Sequence, residues 1–329
     1  MKLPDRLLAP AAAPAPCPLD VHMMPGRQTA VSGLAAGDSG IDCSSDRQWY
    51  FAMSGKFRLL RLFGILASLT AAAAFAAIAW LLLPVLPEPD FNQRKGELLQ
   101  ARETGEWSVP GGRIIEIRLE STSGLTVDLA LRLPQEPLPE RPLLVMLSGQ
   151  ETGRKAVELL PDTRGIAVAA LNYPFGTIPH RDVPALLLAL PDIQRGILDT
   201  PSAVLLALDH LLQRPDLDPG RVELAGVSFG AYIAAVPAAL DPRVERLWLI
   251  HGSGDPESVI EAALRKRIGS EILRSATAWL LASAAAAHHL SPEYWVGALA
   301  PRPLSVVNAG EDETLPPGAV DALHSGLRP

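Results

Sequence analysis

Cysteine is nearly missing from this sequence of 329 residues. Its two cysteines, Cys17 and Cys43, both precede a long apolar run, so the rest of the chain holds no disulfide framework and no thiol site. Basic residues are also in deficit, because 29 Lys and Arg stand against 36 Asp and Glu for a formal net charge of −7. That balance, without a basic stripe, argues against a nucleic-acid partner. No HExxH-like spacing is present, and we expect neither a metal nor another cofactor.

The N-terminal extension, residues 1–55, is rich in Ala, Pro, Gly, Ser and Asp and has no sustained hydrophobic period. Proline fixes φ and removes a hydrogen-bond donor, so the stretch LAPAAAPAPCP predicts neither a helix nor a sheet ladder. We interpret the extension as disordered. The alternative is a mis-assigned start codon, since Met53 opens MSGKFRLLRLF, which would begin a conventional targeting segment.

A transmembrane signal anchor is predicted over residues 56–84. Its apolar run at 62–83 is long enough, at about 1.5 Å per residue, to span a hydrocarbon core of roughly 30 Å. Three basic residues precede the run: Lys56, Arg58 and Arg61. Their position predicts that the N-terminal side stays in the cytoplasm and that the following domain is extracytoplasmic. A cleaved signal peptide and a buried core helix are the alternatives.

The remaining sequence predicts a linker and one folded domain. Residues 85–106 are polar and proline-bearing, with a short helix expected at 91–103, and the domain itself is expected over 107–329. Alternating strands at 113–120 and 125–133 predict a hairpin. Five short apolar runs typical of buried parallel strands follow, at 141–149, 165–173, 221–227, 246–252 and 302–310. Helical stretches separate them, at 151–160, 192–214, 229–240, 256–287 and 316–325.

This alternation predicts an α/β fold with a mostly parallel sheet, an antiparallel N-terminal hairpin and helices on both faces. The pentapeptide Gly226-Val227-Ser228-Phe229-Gly230 lies between a predicted strand and a predicted helix. A GxSxG pattern in that setting is typical of a nucleophilic serine on a tight turn, where Gly226 and Gly230 relieve the crowding. We therefore predict Ser228 as a nucleophile, with an ordinary glycine-bearing turn as the alternative.

A serine that attacks an acyl carbon creates an oxyanion, which needs fixed hydrogen-bond donors. The amide of Phe229 is the first predicted donor, because it follows the nucleophile and opens a helix. The second is expected from the loop after the strand at 141–149, and we assign it to the amide of Gln150. A loop that only turns into a helix is the alternative.

Residues 107–329 resemble the α/β-hydrolase superfamily, especially its dienelactone-hydrolase-like esterases and prolyl-oligopeptidase-like peptidases. Three stretches carry the resemblance: SGQETG, DPGRVELAGVSFGAYIA and APRPLSVVNAGEDETLP. In such families the first stretch often begins His-Gly. Ser148 stands at the histidine position here, which removes a side chain that orders the loop but leaves the backbone donor.

The resemblance also implies an acid after the last predicted strand, in an Asp-Glu-x-x-Pro context that residues 312–316 match. It therefore assigns Asp312 as the acid that orients the catalytic histidine. Glu311 and Glu313 are lesser candidates. Asp255, after the strand at 246–252, is the second choice.

The histidine that should take the proton from Ser228 is the weak point of the resemblance. The expected order is Ser, Asp, then His in a loop after an eighth strand, which requires roughly 30 residues beyond Asp312, more than the sequence holds. We therefore expect the catalytic histidine beyond residue 329, in a chain shortened at its C terminus and lacking the last strand of the fold. Within the sequence, the candidate bases are His251, beside the nucleophile strand, and His324, which follows the acid. The other histidines are weaker candidates: His22, His180, His210, His288 and His289.

The resemblance implies a serine hydrolase that cleaves carboxylester or acyl-peptide bonds, and the apolar run before the domain predicts that this hydrolase is anchored in a membrane. Its expected partners are a small ester or peptide substrate and a membrane, through residues 62–83. The long segment 253–300 is expected to form a helical lid over an acyl pocket or a packed structural element. A catalytically inactive relative used for binding or as a scaffold, and an unrelated α/β protein with a chance GxSxG, are the alternatives.

Overall fold

A computed structural model of the chain describes residues 44–83, 88–136, 138, 140–149, 151–176, 183–310 and 314–327. Predictions for residues 1–43 therefore lie outside the described residues. Helix α1 spans Ser44–Leu82, and its segment Leu60–Trp80 is long and apolar enough to cross a membrane, by length and composition alone. The expected disorder of 44–55 is wrong, because α1 includes these residues. They contain no proline and continue directly into the apolar helix, so the helix extends through them.

Eight strands form one sheet in the order β1-β2-β3-β5-β4-β6-β7-β8. The strands are β1 Leu98–Val109, β2 Gly112–Ser121, β3 Thr126–Pro134, β4 Arg141–Leu147, β5 Ala167–Leu171, β6 Leu217–Val227, β7 Val244–Ile250 and β8 Leu304–Val307. Strands β1, β2, β3 and β5 pair antiparallel with one another, and β5, β4, β6, β7 and β8 pair in parallel. The predicted mostly parallel sheet with an antiparallel N-terminal part is confirmed.

Most of strand β1 lies in the segment 85–106 that the sequence assigned to a linker. The helix expected at 91–103 is confined to α2, Phe91–Lys95, which ends at Gly96 with a φ of 63°. A Cβ at Gly96 would lie 2.7 Å from the Thr122 hydroxyl oxygen, so the chain passes close to the β2–β3 turn there. It then runs antiparallel to β2 for the length of β1. The expectation of a helix beyond Lys95 is wrong, because the backbone ladder with β2 decides the conformation of an otherwise polar segment.

The remaining helices are α3 Val183–Leu211, α4 Phe229–Leu240, α5 Pro256–Leu264, α6 Glu271–Ala284, α7 Pro292–Trp295 and α8 Pro317–Ser325. Short 3₁₀ helices cover Gly153–Glu158, Ala287–His289 and Val296–Leu299. The predicted helix at 256–287 is two helices, because Ser270 caps α6 by accepting a hydrogen bond from the Leu273 amide.

Two apolar cores enclose the sheet, one on each face. Leu143, Val145 and Leu147 of β4 face a large core that includes side chains of α3 and α4. Met146, which points the opposite way, joins a smaller core beneath the 3₁₀ helix Gly153–Glu158. This alternation of period two buries both faces of the central strands. It leaves the C-terminal ends of β6 and β7 as the edge from which the site is built.

Candidate active site

Ser228 occupies a strained turn between β6 and α4. Its φ of 56° and ψ of −119° are unusual for a residue with a Cβ, and such values cost on the order of 1–3 kcal/mol. Two hydrogen bonds hold the turn, because the Ser228 amide donates to the Ile250 carbonyl at 2.9 Å and the Ser228 carbonyl accepts from the Ala231 amide at 2.9 Å. The side chain is exposed at the edge of the sheet.

The two glycines of the pentapeptide are required by close packing. A Cβ on Gly226 would lie 2.6 Å from the Ala231 Cα, where α4 begins. A Cβ on Gly230 would lie 2.1 Å from the Leu147 carbonyl oxygen at the end of β4. Both glycines therefore occupy positions without room for a side chain. They let α4 start directly against β4 and β6.

His251 follows β7 just as Ser228 follows β6. Val227 and Ile250, the residues before them, are partners in the parallel pairing of the two strands, which lie about 4.8 Å apart in a sheet. His251 also has a positive φ, of 56°, and its amide donates to the Val307 carbonyl at 2.7 Å. Two neighbouring strands therefore release these two residues at the same level of the sheet.

Asn308 joins the segment after β8 to the segment after β7. Its side-chain oxygen accepts from the Gly252 amide and its side-chain nitrogen donates to the Gly252 carbonyl, both at 3.0 Å. Further along, the Thr314 hydroxyl oxygen lies 3.3 Å from the Nε2 atom of His251. Sequence reasoning did not identify Asn308 or Thr314. Their flanking position around Asp312 was the signal that could have found them.

Asp255, the second-choice acid, is engaged in capping α5. Its carboxylate accepts hydrogen bonds from the Ser258 amide at 3.2 Å and from the Ser258 hydroxyl. Its own amide donates to the Glu293 carboxylate at 3.0 Å. A carboxylate that satisfies a helix N-terminus serves the helix, and these contacts tie the start of α5 to α7.

Ser228 and His251 share a cavity of about 400 Å³. Residues from the predicted lid segment 253–300 supply part of its wall, among them Val259 and Ile260 of α5. A wider and more polar groove of about 960 Å³ lies beside α2 and the β2–β3 turn, and Ser228 does not line it. Of these two cavities, the smaller one is therefore the one that Ser228 lines.

Of the two predicted oxyanion donors, the structure describes Phe229 but not Gln150. Phe229 is the first residue of α4 and lines the cavity, and its ring packs edge-on against Tyr173 with centroids 5.2 Å apart. The Tyr173 hydroxyl donates to the Ser148 carbonyl, which fixes the loop after β4. Burial raises the pKa of Tyr173 above its ordinary value, so the hydroxyl keeps its proton. Gln150 lies outside the described residues.

Of the other predicted residues, three histidine sites that the structure describes do not line the cavity beside Ser228. His324 is exposed on α8 and does not line the cavity. His288 and His289, whose rings contact each other at a tilt of 42°, lie in the 3₁₀ helix Ala287–His289. His210 lies near the end of α3, where desolvation and the charge of Arg214 lower its pKa. Four further candidates lie outside the described residues: His180, Glu311, Asp312 and Glu313. The same holds for His22.

We searched the described residues for a possible metal site. No group of three or more His, Cys, Asp or Glu side chains is suitably placed there to hold an ion.

No family model matches the sequence, and no curated protein matches it. Solved structures do resemble the chain. A glucuronoyl esterase from Solibacter usitatus is 14% identical, with 72% of this chain and 77% of that chain covered and a TM-score of 0.45. The acetyl xylan esterase 1 from Thermoanaerobacterium sp. is 16% identical, with 76% and 83% covered and a TM-score of 0.45. A cold-adapted esterase from an Arctic intertidal metagenomic library is 15% identical, with 69% and 84% covered and a TM-score of 0.46.

The architecture of the chain itself identifies its fold. Antiparallel strands lead into a parallel sheet with helices on both faces, and β4 lies between β5 and β6 although it precedes both in sequence. A serine with positive φ follows β6 and opens α4. The resemblance predicted from the motifs is thereby confirmed at the level of architecture, and the chain has the α/β-hydrolase fold.

Proposed function

We propose that the domain is a serine hydrolase of carboxylic esters, with Ser228 as its nucleophile. The observation that supports this most is the strained turn at Ser228, which presents the hydroxyl to a cavity that His251 also lines. Backbone strain at an exposed serine beside a cavity is typical of a catalytic turn. An acyl-peptide bond is the second substrate class that the same chemistry would cleave.

His251 is the base in this proposal. A serine hydroxyl is a weak nucleophile until an adjacent group takes its proton. His251 accepts that proton while the Ser228 oxygen bonds to the acyl carbon, and it then returns the proton to the departing alcohol. In the second half of the reaction His251 takes a proton from water while the water oxygen bonds to the acyl carbon. His251 then returns that proton to the Ser228 oxygen as the bond between this oxygen and the acyl carbon breaks, which releases the acid and restores Ser228. In this proposal His251, one strand over from the serine, takes the role that the resemblance assigns to a histidine after an eighth strand.

The amides of Phe229 and Gln150 hold the oxyanion in this proposal. The Phe229 amide stands at the start of α4, where the helix leaves its first amides without a partner inside the helix and the dipole favours negative charge. Removing one such donor in other serine hydrolases costs about 10²–10³ in kcat. Gln150 is retained from the sequence prediction.

Asp312 remains the proposed acid. The segment that carries it is attached near His251 at two points, through Asn308 on Gly252 and through Thr314 on His251 itself. A loop held at both sides of Asp312 supports a role for its carboxylate in orienting the imidazole. Asp255 is less suited, because its carboxylate caps α5.

Labelling by a fluorophosphonate probe tests the nucleophile and the base. The full-length protein in detergent should be labelled at Ser228, and Ser228→Ala should abolish the labelling. His251→Gln should slow labelling and lower ester kcat/KM by about 10²–10⁴-fold, the usual contribution of a general base. His324→Gln is the matched control, because His324 is exposed on α8 and should leave both rates unchanged.

Two results would contradict the proposal in different ways. Labelling that His251→Gln does not slow would place the base elsewhere in the chain. A folded protein that is never labelled at Ser228 would instead favour an inactive relative that uses the cavity for binding.

We further propose that α1 anchors the hydrolase domain to a membrane, with the domain on the extracytoplasmic side. The apolar segment Leu60–Trp80 and the basic residues before it support this topology. The full chain should stay with membranes after an alkaline wash, and a membrane-impermeant fluorophosphonate should label Ser228 on intact cells. Labelling only after lysis would reverse the assigned side.

A further inference from the structure

The cavity beside Ser228 has an apolar body. Its wall includes Ile197 of α3, Ile233 of α4, Val259 and Ile260 of α5, and Leu290. Ile197, Ile233 and Leu290 are almost fully buried, with exposed fractions of 8%, 0% and 1%. Among the described residues that line the cavity, none is Lys, Arg, Asp or Glu. A ligand that carries a charge deep in this cavity would lose its hydration without gaining a charged partner.

The polar groups of the cavity cluster beside the serine. His251 contacts Thr314 through Nε2, and Ser253 follows His251 by two positions. Tyr232 also lines the cavity, but its hydroxyl is bonded to the Ala287 carbonyl and to the Ser291 hydroxyl, both at 2.7 Å. Burial raises the pKa of Tyr232 above its ordinary value, which keeps it neutral. The cavity therefore has one polar end at the nucleophile and an apolar remainder.

Resting on the proposed function, we infer that this cavity holds the acyl chain of the substrate, and that the substrates are esters of aliphatic acids longer than acetate. A cavity of about 400 Å³ is far larger than an acetyl group and lies within the range of about 300–1,000 Å³ for small-molecule sites. Each methylene group that the cavity wall removes from water strengthens binding of the substrate, and the affinity should rise about fourfold per methylene. The carbonyl carbon meets Ser228 at the polar end, and the chain extends along α5.

A series of p-nitrophenyl esters from acetyl through butanoyl to octanoyl tests this inference. For the full chain in detergent, kcat/KM should rise by about fourfold per added methylene until the cavity is full. Ile260→Trp narrows the cavity at α5, so it should lower kcat/KM for the hexanoyl ester by about 10- to 200-fold while leaving the acetyl ester nearly unchanged. Ile272→Trp is the matched control, because Ile272 is 82% exposed on α6 and does not line the cavity.

Binding without turnover separates this inference from the proposed function. In Ser228→Ala, hexanamide should raise the melting temperature more than acetamide does, and Ile260→Trp added to that variant should remove the difference. A flat chain-length profile in a protein labelled at Ser228 would overturn the acyl cavity and leave the hydrolase proposal standing. Failure of labelling with a preserved preference for hexanamide would overturn the hydrolase proposal and leave an apolar ligand cavity.

Discussion

Gly230 is the position at which one added methyl group should do most damage to the site. The Cβ of Gly230→Ala would lie 2.1 Å from the Leu147 carbonyl oxygen and 2.4 Å from its carbonyl carbon. Non-bonded heavy atoms prefer separations of about 3.5–4.0 Å, so α4 and β4 must move apart by about 1 Å or more. Both partners are backbone, and no side chain can rotate away. Overpacking of this kind costs about 1–3 kcal/mol, and we expect about 3 kcal/mol here because rigid elements must move.

Thermal unfolding and labelling measure the two consequences of Gly230→Ala. A loss of about 3 kcal/mol should lower the melting temperature by about 6–12 °C for a domain of this size. Labelling of Ser228 should also slow, because the turn between β6 and α4 is rebuilt. Gly176→Ala is the matched control, since nothing lies within 4 Å of its added Cβ. A Gly230→Ala protein as stable as the control would refute the close approach of α4 to β4.

Substitutions at three further residues test other contacts. Arg132, 6% exposed, donates to four backbone carbonyls, so Arg132→Ala should cost at least about 3 kcal/mol in urea unfolding, and Arg132→Lys should recover only part of that loss. Asn308→Ala removes both hydrogen bonds to Gly252, so it should lower the free energy of unfolding by about 1–3 kcal/mol and slow the labelling of Ser228. Unchanged labelling would mean that Asn308 does not position His251. The pKa of His210 is lower in the folded state than its ordinary value of 6.5, so the folded state resists protonation and stability should fall as the pH drops below about 6.5. His210→Gln should flatten that part of the stability profile, and an unchanged slope would contradict the assignment.

The sequence predicted the central sheet because burial there follows simple patterns. The runs that became β4 and β5 are almost continuously apolar, since both faces of these strands are covered. Those that became β6 and β7 interrupt the apolar pattern with charged residues, among them Glu223 and Arg246. The helix after Ser228 was predicted at the bounds it has in α4. Gly226 and Gly230 mark the turn because a Cβ at either position would collide with backbone.

Strand β1 could not be predicted from its own residues. Most of its side chains are exposed, so the period-two alternation that identifies a half-buried strand is missing. It owes its conformation to the backbone ladder with β2, which a local pattern does not contain. The position of His251 differs in this respect, because the order of the strands already predicted it beside the nucleophile strand. The register of β6 against β7 adds that Ser228 and His251 follow the paired residues Val227 and Ile250.

Ser228 and His251 are both held in a backbone region that glycine occupies without strain, at φ values of 56° each. Relief of that strain would be worth on the order of 1–3 kcal/mol at each position. A laboratory screen that selects for heat resistance alone should therefore recover glycine at 228 and at 251. Selection for turnover would oppose both changes, so selection for heat resistance and selection for turnover would favour different residues at these two positions.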